Sequence, residues 1–146
     1  VLRQAVAYIR ATWGDEVFPE EDTSPENNMS VVQFAKLCDQ KILLAGDAGR
    51  ATLTEAIDFA PTAGLYLPGL DRVHVPHHGS RHNVSSEVLD DLLGPRLESK
   101  VEKFTAVISA AKEDKEHPRK AVIRAFIHRG AKVITTEGKT ISTFNR

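Results

Sequence analysis

The sequence predicts an α/β fold in which helices cover a β-sheet of mixed direction. From residue 31 onward, strand-like and helix-like segments follow one another in the order β-β-α-β-α-β-α-β-β, which is typical of a layered α/β domain. The chain has 146 residues, of which 41% are hydrophobic and 27% are charged. This length and composition are those of one ordinary globular domain, so residues 1–146 are predicted to form a single folding unit.

The N-terminal part of the chain supplies a helix, an irregular segment and a pair of strands. Apolar residues at spacings of three and four in residues 1–13 predict a helix that ends at Gly14. Residues 15–28 contain two prolines, six acidic residues and no apolar face, which predicts a surface loop. The runs 30–37 and 41–46 are strand-like and closely spaced, so they predict a hairpin whose second strand is the more buried.

The remaining elements alternate between strands and helices, and most end at a glycine or a proline. Pro61 stops a helix that follows Asp47, and Pro76 ends a short strand at 71–75. The other predicted elements are a short helix led by Ser85 and closed by Gly94-Pro95, a strand at 104–109, a helix that begins at Pro118 and ends before Gly130, and two closing strands at 132–136 and 139–144 around a Glu137-Gly138 turn.

The candidate functional residues lie where a predicted strand ends or a predicted helix starts. Asp47 and the pair His77-His78 each follow a strand, and His117 stands directly before a helix. In open α/β sheets, the loops at the carboxyl ends of strands converge in one crevice, where ligands usually bind. A carboxylate with neutral imidazoles suits zinc and, with more oxygen ligands, also manganese or iron. The sequence therefore predicts a metal site at these residues.

Each candidate also has a structural interpretation. An aspartate after a buried strand, such as Asp47, is about as often the N-cap of the next helix as it is a ligand. Adjacent histidines in an extended loop point in opposite directions, so His77 and His78 are more often exposed or structural than ligands. His74 and His128 lie on polar faces of their predicted elements, which indicates that they are solvated.

Several other residues limit the reaction classes and roles that the site could have. Ser80 does not lie in a GxSxG motif, which excludes the interpretation as a serine hydrolase. Arg81 could bind a phosphate through a bidentate contact, although an exposed arginine is more often only solvated. His82 could support the loop by a hydrogen bond, and His117 could cap a helix rather than act in the site.

Composition sets limits on partners and location. The net charge of −1 provides no global positive field for a polyanion, so a nucleic-acid contact would need a local patch. The single cysteine, Cys38, cannot form an internal disulfide. The chain has no apolar run of about 18 residues, and its start lacks the pattern of a signal peptide. These features predict a cytoplasmic protein without a membrane segment.

Three stretches, taken together and in this order, resemble the metallo-β-lactamase superfamily. They are NNMSVVQFAKLCDQKILLAGDAG, DRVHVPHHGSRHNVSSEVLDDL and VISAAKEDKEHPRKAVIRAFIHRGAKVITTEGKTIS. Within that superfamily the resemblance is to the hydrolase domain of ComEC-type competence proteins, and it extends from about Asn27 to Ser142. The shared pattern is an N-x-S segment, a hairpin that ends in Gly-Asp, a V-x-H-H-G-S loop, an HP helix and a closing pair of strands.

The resemblance implies the C-terminal half of an αββα sandwich, with two divalent metal ions between its sheets. Zinc is the first choice for the metal and manganese the second. Asp47 matches the carboxylate that bridges the two ions, and His78, which Gly79 follows, is the first choice for an imidazole ligand. His77 then shares the metal or faces the substrate, and His117 matches a catalytic position close to the leaving oxygen.

The resemblance also implies what else the site requires. Asn28 and Ser30 match a segment that replaces another superfamily histidine, and Asn28, Ser80 and Arg81 are the candidate substrate-binding residues. The main ligand motif of the superfamily, HxHxDH, does not occur in the chain. We therefore expect that an upstream segment or a partner chain completes the site. The chain also lacks the glycine that usually precedes "HP" in relatives, which bears on the role of His117.

The predicted function is metal-dependent hydrolysis, most consistent with phosphodiester bonds of nucleic acid or of a smaller phosphodiester. Acyl substrates also occur in the superfamily. The alternative is a non-catalytic module that retains the fold for docking or regulation without a metal.

Overall fold

Five strands form one sheet in the computed structural model, which describes residues 14–111, 113–114, 116–137 and 140. The described elements are α1 (Pro25–Asn28), β1 (Gln33–Leu37), β2 (Gln40–Leu44), α2 (Arg50–Phe59), β3 (Arg72–His74), a 3₁₀ turn (His77–Gly79), α3 (Ser86–Leu93), β4 (Phe104–Ile108), α4 (Lys120–His128) and β5 (Ala131–Thr135). The predicted α/β fold with a sheet of mixed direction is confirmed.

The strands lie in sequence order across the sheet. β1 and β2 are antiparallel and form the predicted hairpin, in which Cys38 and Asp39 adopt left-handed backbone angles at the tip. β2, β3, β4 and β5 are parallel to one another, and one helix connects each of them to the next. Because these strands run in the same direction, their carboxyl ends and the loops that follow them lie along one edge of the sheet.

The hydrophobic core lies between one face of the sheet and the helices. Leu43, Val73 and Ala106 pair across β2, β3 and β4 and are almost completely buried. The large buried side chains of the helices include Leu53 and Phe126. Since α2 contacts α3 and α3 contacts α4, the three helices form one layer against this face.

The other face of the sheet presents a second apolar row. Leu44, His74, Val107 and Ile134 pair across β2 to β5 and alternate with the residues of the core. Leu44 is 45% exposed, whereas the other three residues are half-buried. The side chains of this face are therefore much less buried than those that face the helices.

Three predicted boundaries differ from the structure at points where groups from other parts of the chain bind the backbone. The predicted strands 30–37 and 41–46 are shorter, since the Ser30 hydroxyl accepts a hydrogen bond from the Asp47 N–H and Gly46 turns with a φ of +55°. α4 begins at Lys120 and not at Pro118, because the next backbone N–H, that of residue 119, donates to the Gly79 carbonyl.

The segment 15–28, predicted as a surface loop, contains the helical turn α1 and a buried carboxylate. The side chain of Glu16 is fully buried beside Arg129, and its Oε1 lies 2.6 Å from Nδ1 of His128. The prediction that His128 is solvated is therefore wrong. A long-range ion cluster of this kind has no local sequence signal.

Several predictions concern parts of the chain that lie outside the described residues. They are the helix at 1–13, the Gly138 position of the closing turn, and most of the last strand at 139–144. Within the described part, no helix combines the length and the apolar character that crossing a bilayer requires.

Candidate functional site

The Gly46-Asp47 turn follows β2, and other parts of the chain hold its backbone. The N–H of Asp47 donates to Ser30 Oγ at 3.2 Å, and the carbonyl of Asp47 accepts from the side chain of Asn83 at 2.8 Å. The carboxylate of Asp47 is half-buried and has no hydrogen-bond partner among the described residues. It is therefore available for a ligand.

Asp22, and not Asp47, stabilises the start of α2. Its two carboxylate oxygens accept hydrogen bonds from the backbone N–H groups of Arg50, at 2.9 Å, and Ala51, at 3.1 Å. Burial alone would raise the pKa of Asp22, but these bonds and one from Asn28 hold it below its ordinary value. The residue at the N-cap position is Gly49. The interpretation of Asp47 as the N-cap is therefore wrong.

The histidine pair forms a tight left-handed turn. His77, His78 and Gly79 have φ values of 43°, 55° and 82°, and the His77 N–H donates to the Gly46 carbonyl at 3.0 Å. Two consecutive non-glycine residues with positive φ are unfavourable, and such strain is concentrated at functional sites. Gly79 cannot be replaced easily, since a Cβ there would lie 2.8 Å from Cβ of Pro118.

This turn brings the two imidazoles close to each other. The ring centroids of His77 and His78 are 5.8 Å apart at an interplanar angle of 67°. The expectation that the two side chains point in opposite directions is wrong, because it assumed an extended backbone. The ring of His117 stacks on His77 from another loop, with centroids 6.0 Å apart and an angle of 18°. His77 therefore contacts both of the other imidazoles at the edge of the sheet.

Each of these three rings has its Nδ1 next to a protein oxygen. Nδ1 of His78 lies 2.6 Å from the Ser109 carbonyl, and Nδ1 of His117 lies 3.1 Å from Oδ2 of Asp114. Nδ1 of His77 lies 3.2 Å from Oδ1 of Asn83. Carbonyl and carboxylate oxygens only accept, so Nδ1 of His78 and of His117 carries the proton. In the neutral rings, Nε2 then has the lone pair. Metal-binding histidines are usually held in this way.

His117 does not cap α4. The residue at the N-cap position of that helix is Arg119. Asp114 accepts hydrogen bonds from the backbone N–H groups of Glu116 and His117, in addition to its contact with the His117 ring. The bond from Glu116, followed by those from His117, holds the pKa of Asp114 below its ordinary value, although slight burial opposes this. Asp114 therefore remains a carboxylate that faces His117.

His74 is a fourth imidazole near the site, and it was not among the predicted site residues. Its side chain is half-buried at the end of β3, so the prediction that it is solvated is wrong. Burial, and then the nearby charge of His78, lower the pKa of His74, while the negative charge of Asp47 opposes the shift. The sequence did contain a signal for this position. Successive side chains of a strand point to opposite faces of the sheet, so buried Val73 places His74 on the face opposite the core.

The predicted substrate-binding residues have protein partners of their own. Oδ1 of Asn28 accepts from the N–H of Gly49 and from the hydroxyl of Thr52, both at 3.1 Å, and its Nδ2 donates to Asp22. Asn28 thus holds the start of α2, whereas the adjacent Asn27 contacts His77, with Nδ2 and Nδ1 3.1 Å apart.

Ser80, Arg81 and His82 directly follow the left-handed turn of the histidine pair. Ser80 is buried and its hydroxyl accepts from the His82 N–H at 3.4 Å, and Arg81 is half-buried directly after it. Nδ1 of His82 lies 3.2 Å from the Glu21 carbonyl, so His82 does support the loop by a hydrogen bond. The assignments of Asn28, Ser80 and Arg81 to substrate binding stay predictions.

The donor types in this region fit a divalent metal, but the described donors do not form a complete cluster. Imidazole Nε2 atoms with a held Nδ1, and a carboxylate without a hydrogen bond, are suitable zinc ligands. Within the part of the chain that the structure describes, no group of three or more His, Cys, Asp or Glu side chains is arranged to hold a metal ion.

Comparisons with known proteins do not assign the chain to a family. No protein-family model matches the sequence. No curated protein and no solved structure matches it either.

Proposed function

We propose that this chain supplies one side of a two-metal site in a hydrolase of phosphodiester bonds. The scaffold would be the C-terminal half of a metallo-β-lactamase αββα sandwich. One observation carries the proposal: at the carboxyl edge of the sheet the imidazole of His77 contacts those of His78 and His117, and each of the three has its Nδ1 beside a protein oxygen. The carboxylate of Asp47, which accepts no hydrogen bond from the described residues, follows the neighbouring strand.

The proposed roles follow from the contacts of each residue. Asp47, His78 and His77 would hold the metal ions, with zinc preferred over manganese because imidazole is the main donor. Bound divalent ions would polarise a phosphoryl oxygen and lower the pKa of a water molecule. His117 would transfer a proton from Nε2 to the leaving oxygen, and the Asp114 carboxylate at Nδ1 would hold its ring in place.

The substrate side would be formed by Arg81, Ser80 and Asn28. The guanidinium of Arg81 suits a bidentate contact with a phosphate. Nucleic acid or a smaller phosphodiester is the proposed substrate class, and the cytoplasm is the proposed location. The net charge of −1 offers no general attraction for a polyanion, so the local charges of the site would have to bind the phosphate.

The remaining ligands would come from an upstream segment or from a partner chain. The described residues do not complete a metal cluster by themselves. The row of exposed Leu44 and half-buried Val107 and Ile134 faces away from the helix layer, and in an αββα sandwich this is the face that a second sheet would cover. The same two observations favour the second candidate function, a module that docks through this face without binding metal.

The deciding experiment measures metal content and activity together in a protein that includes the upstream segment. Asp47→Asn is expected to lose both bound zinc after dialysis and turnover of bis(4-nitrophenyl) phosphate, while its far-UV circular dichroism is unchanged. Asp58→Asn, an exposed residue of α2, is the matched control and should retain both. Residues 1–146 alone should show no hydrolysis with added zinc or manganese, because the ligands are too few.

The possible outcomes separate the two candidate functions. Full zinc occupancy in Asp47→Asn would remove Asp47 from the site. Robust hydrolysis by residues 1–146 alone would mean that its ligands have been misidentified. Absence of both metal and turnover from every form of the protein would favour the docking module.

A further inference from the structure

Asn83 is a fully buried polar side chain that joins the two loops of the candidate site. Its Nδ2 donates to the carbonyls of Asp47, at 2.8 Å, and Ala48, at 3.2 Å. Its Oδ1 lies 3.2 Å from Nδ1 of His77. We propose that Asn83 is a positioning residue, which fixes the proton of His77 on Nδ1 and so presents the lone pair of Nε2 to the site.

The orientation of the Asn83 amide follows from its two carbonyl partners. A carbonyl can only accept a hydrogen bond, so the NH₂ group must face Asp47 and Ala48. In the reversed orientation, Oδ1 would face two carbonyl oxygens, and the amide would donate to neither of them. Oδ1 must therefore face His77, and Nδ1 of His77 must be the donor.

Asn27 contacts the same nitrogen, so the orientation of its amide also bears on where the His77 proton lies. Its Nδ2 lies 3.1 Å from Nδ1 of His77, an arrangement that would require Nδ1 to accept. The other contact of this amide is with the hydroxyl of Thr23, at 2.7 Å, and a hydroxyl can donate as well as accept. Reversal of the Asn27 amide therefore costs no hydrogen bond, and its Oδ1 then also accepts from His77. Asn83 decides the position of the proton.

The same contacts link the geometry of His77 to that of Asp47. The Asp47 carbonyl binds Asn83, and the neighbouring Gly46 carbonyl accepts from the backbone N–H of His77. The ring of His77 and the backbone of Asp47 are therefore joined through Asn83 on one side and through the Gly46 carbonyl on the other. That Nε2 then serves a metal rests on the proposed function, whereas the position of the proton does not.

Nitrogen NMR of the chain with ¹⁵N-labelled histidine tests the inference directly. At about pH 8, well above the ordinary histidine pKa of about 6.5, protonated and unprotonated ring nitrogens give separate signals. We expect the His77 ring to be protonated on Nδ1 in the wild type, and His77→Gln identifies its signals by their loss. A wild-type His77 ring protonated on Nε2 would overturn the inference, even if no Asn83 variant folds.

Two substitutions distinguish Asn83 from Asn27. Asn83→Leu, which has similar volume and no acceptor, should release the His77 ring to a mixture in which the Nε2-protonated form predominates. Asn27→Ala is the matched control and should leave the proton on Nδ1. An unchanged His77 signal in a folded Asn83→Leu variant would refute the role of Asn83, and a shift in Asn27→Ala would assign that role to Asn27.

A zinc titration of the protein with its upstream segment separates this inference from the proposed function. Loss of a residue that orients a metal-binding histidine typically weakens metal affinity by about 10- to 100-fold. We expect a loss in that range for Asn83→Leu and a smaller one for Asn27→Ala. The expected NMR result without any zinc binding would leave the role of Asn83 intact and refute the metal site.

Discussion

Replacement of Glu16 with glutamine is expected to lower the free energy of unfolding by about 3 kcal/mol at neutral pH. The carboxylate lies within hydrogen-bond distance of Nη1 of Arg129 at 3.1 Å, Oγ of Ser86 at 3.0 Å and Nδ1 of His128 at 2.6 Å, and it pairs with Arg96 at 2.9 Å. The side chains of Glu16 and Arg129 are both fully buried. Glutamine would remove the negative charge and turn an NH₂ group toward these donors.

The magnitude follows from the partners that remain. Removal of one member of a buried ion pair costs about 3–5 kcal/mol, because the other charge stays buried without compensation. Arg129 keeps a second carboxylate, since Asp90 lies 2.7 Å from its Nη2. The charge is therefore only partly uncompensated, and the lower end of the range applies.

The pH dependence has a defined sign. Burial alone would raise the pKa of Glu16, but the hydrogen bond with His128 and the charge of Arg129 hold it below the ordinary value. The unfolded chain therefore binds the proton first as the pH falls. The stabilisation is fully present above the ordinary glutamate pKa of about 4.3 and is lost as the pH falls through the lower pKa of the folded state.

Urea unfolding, followed by far-UV circular dichroism at about pH 7 and at about pH 3, measures the effect. The control is Glu20→Gln, an exposed glutamate of the same segment, which should stay within about 0.5 kcal/mol of the wild type. The role assigned to the Glu16 charge fails if Glu16→Gln is as stable as this control at neutral pH. It also fails if the loss has the same size in acid, because the cause would then not be the charge.

Two further predictions concern the loops of the site. Gly79→Ala should destabilise the chain by about 1–2 kcal/mol because of its left-handed backbone, and by a further amount because the new Cβ would contact Pro118. The control is Gly64→Ala, where φ is +74° and no atom lies within 4 Å of the new Cβ, so that only the cost of the left-handed backbone applies. Equal losses of stability in urea unfolding would contradict this prediction. Asp22→Ala should cost about 1–2 kcal/mol through loss of the two hydrogen bonds at the start of α2, with exposed Glu21→Ala as the control, and a thermal midpoint equal to that of the control would refute the role of Asp22.

The elements that could be predicted from the sequence are those whose causes are local. Ser85 begins α3 as predicted, because its hydroxyl accepts from the Val88 N–H three residues later, and Gly94 ends that helix with a φ of +92°. The ends of the first two strands could not be predicted. The Ser30 hydroxyl that holds the Asp47 turn lies 17 positions away, and no pattern within a strand reports such a contact.

The candidate site, too, could be predicted only in part. The positions of Asp47, His77, His78 and His117 at the ends of strands or before a helix were sufficient to select them. Their orientation was not predictable, because it depends on a left-handed turn and on Nδ1 partners such as Ser109 that are distant in sequence.

Asn83 illustrates the part of the site that sequence reasoning missed. An asparagine in a polar loop is usually exposed, and nothing near it in the sequence indicates that it is fully buried. Its burial results from two carbonyl groups 35 and 36 positions earlier. Asn27 was also missed, although the adjacent Asn28 was selected.

The hydrogen bonds of the site also affect how the folded chain opens. Asn83 bonds to a residue 36 positions away, and Asn27 contacts a ring 50 positions away. Such bonds cannot survive when only one helix or one hairpin is intact, so the loops of the site should separate in a single cooperative opening. The amide hydrogens of Asp47 and His77, which bond to Ser30 and to the Gly46 carbonyl, should then exchange with solvent with the same opening free energy.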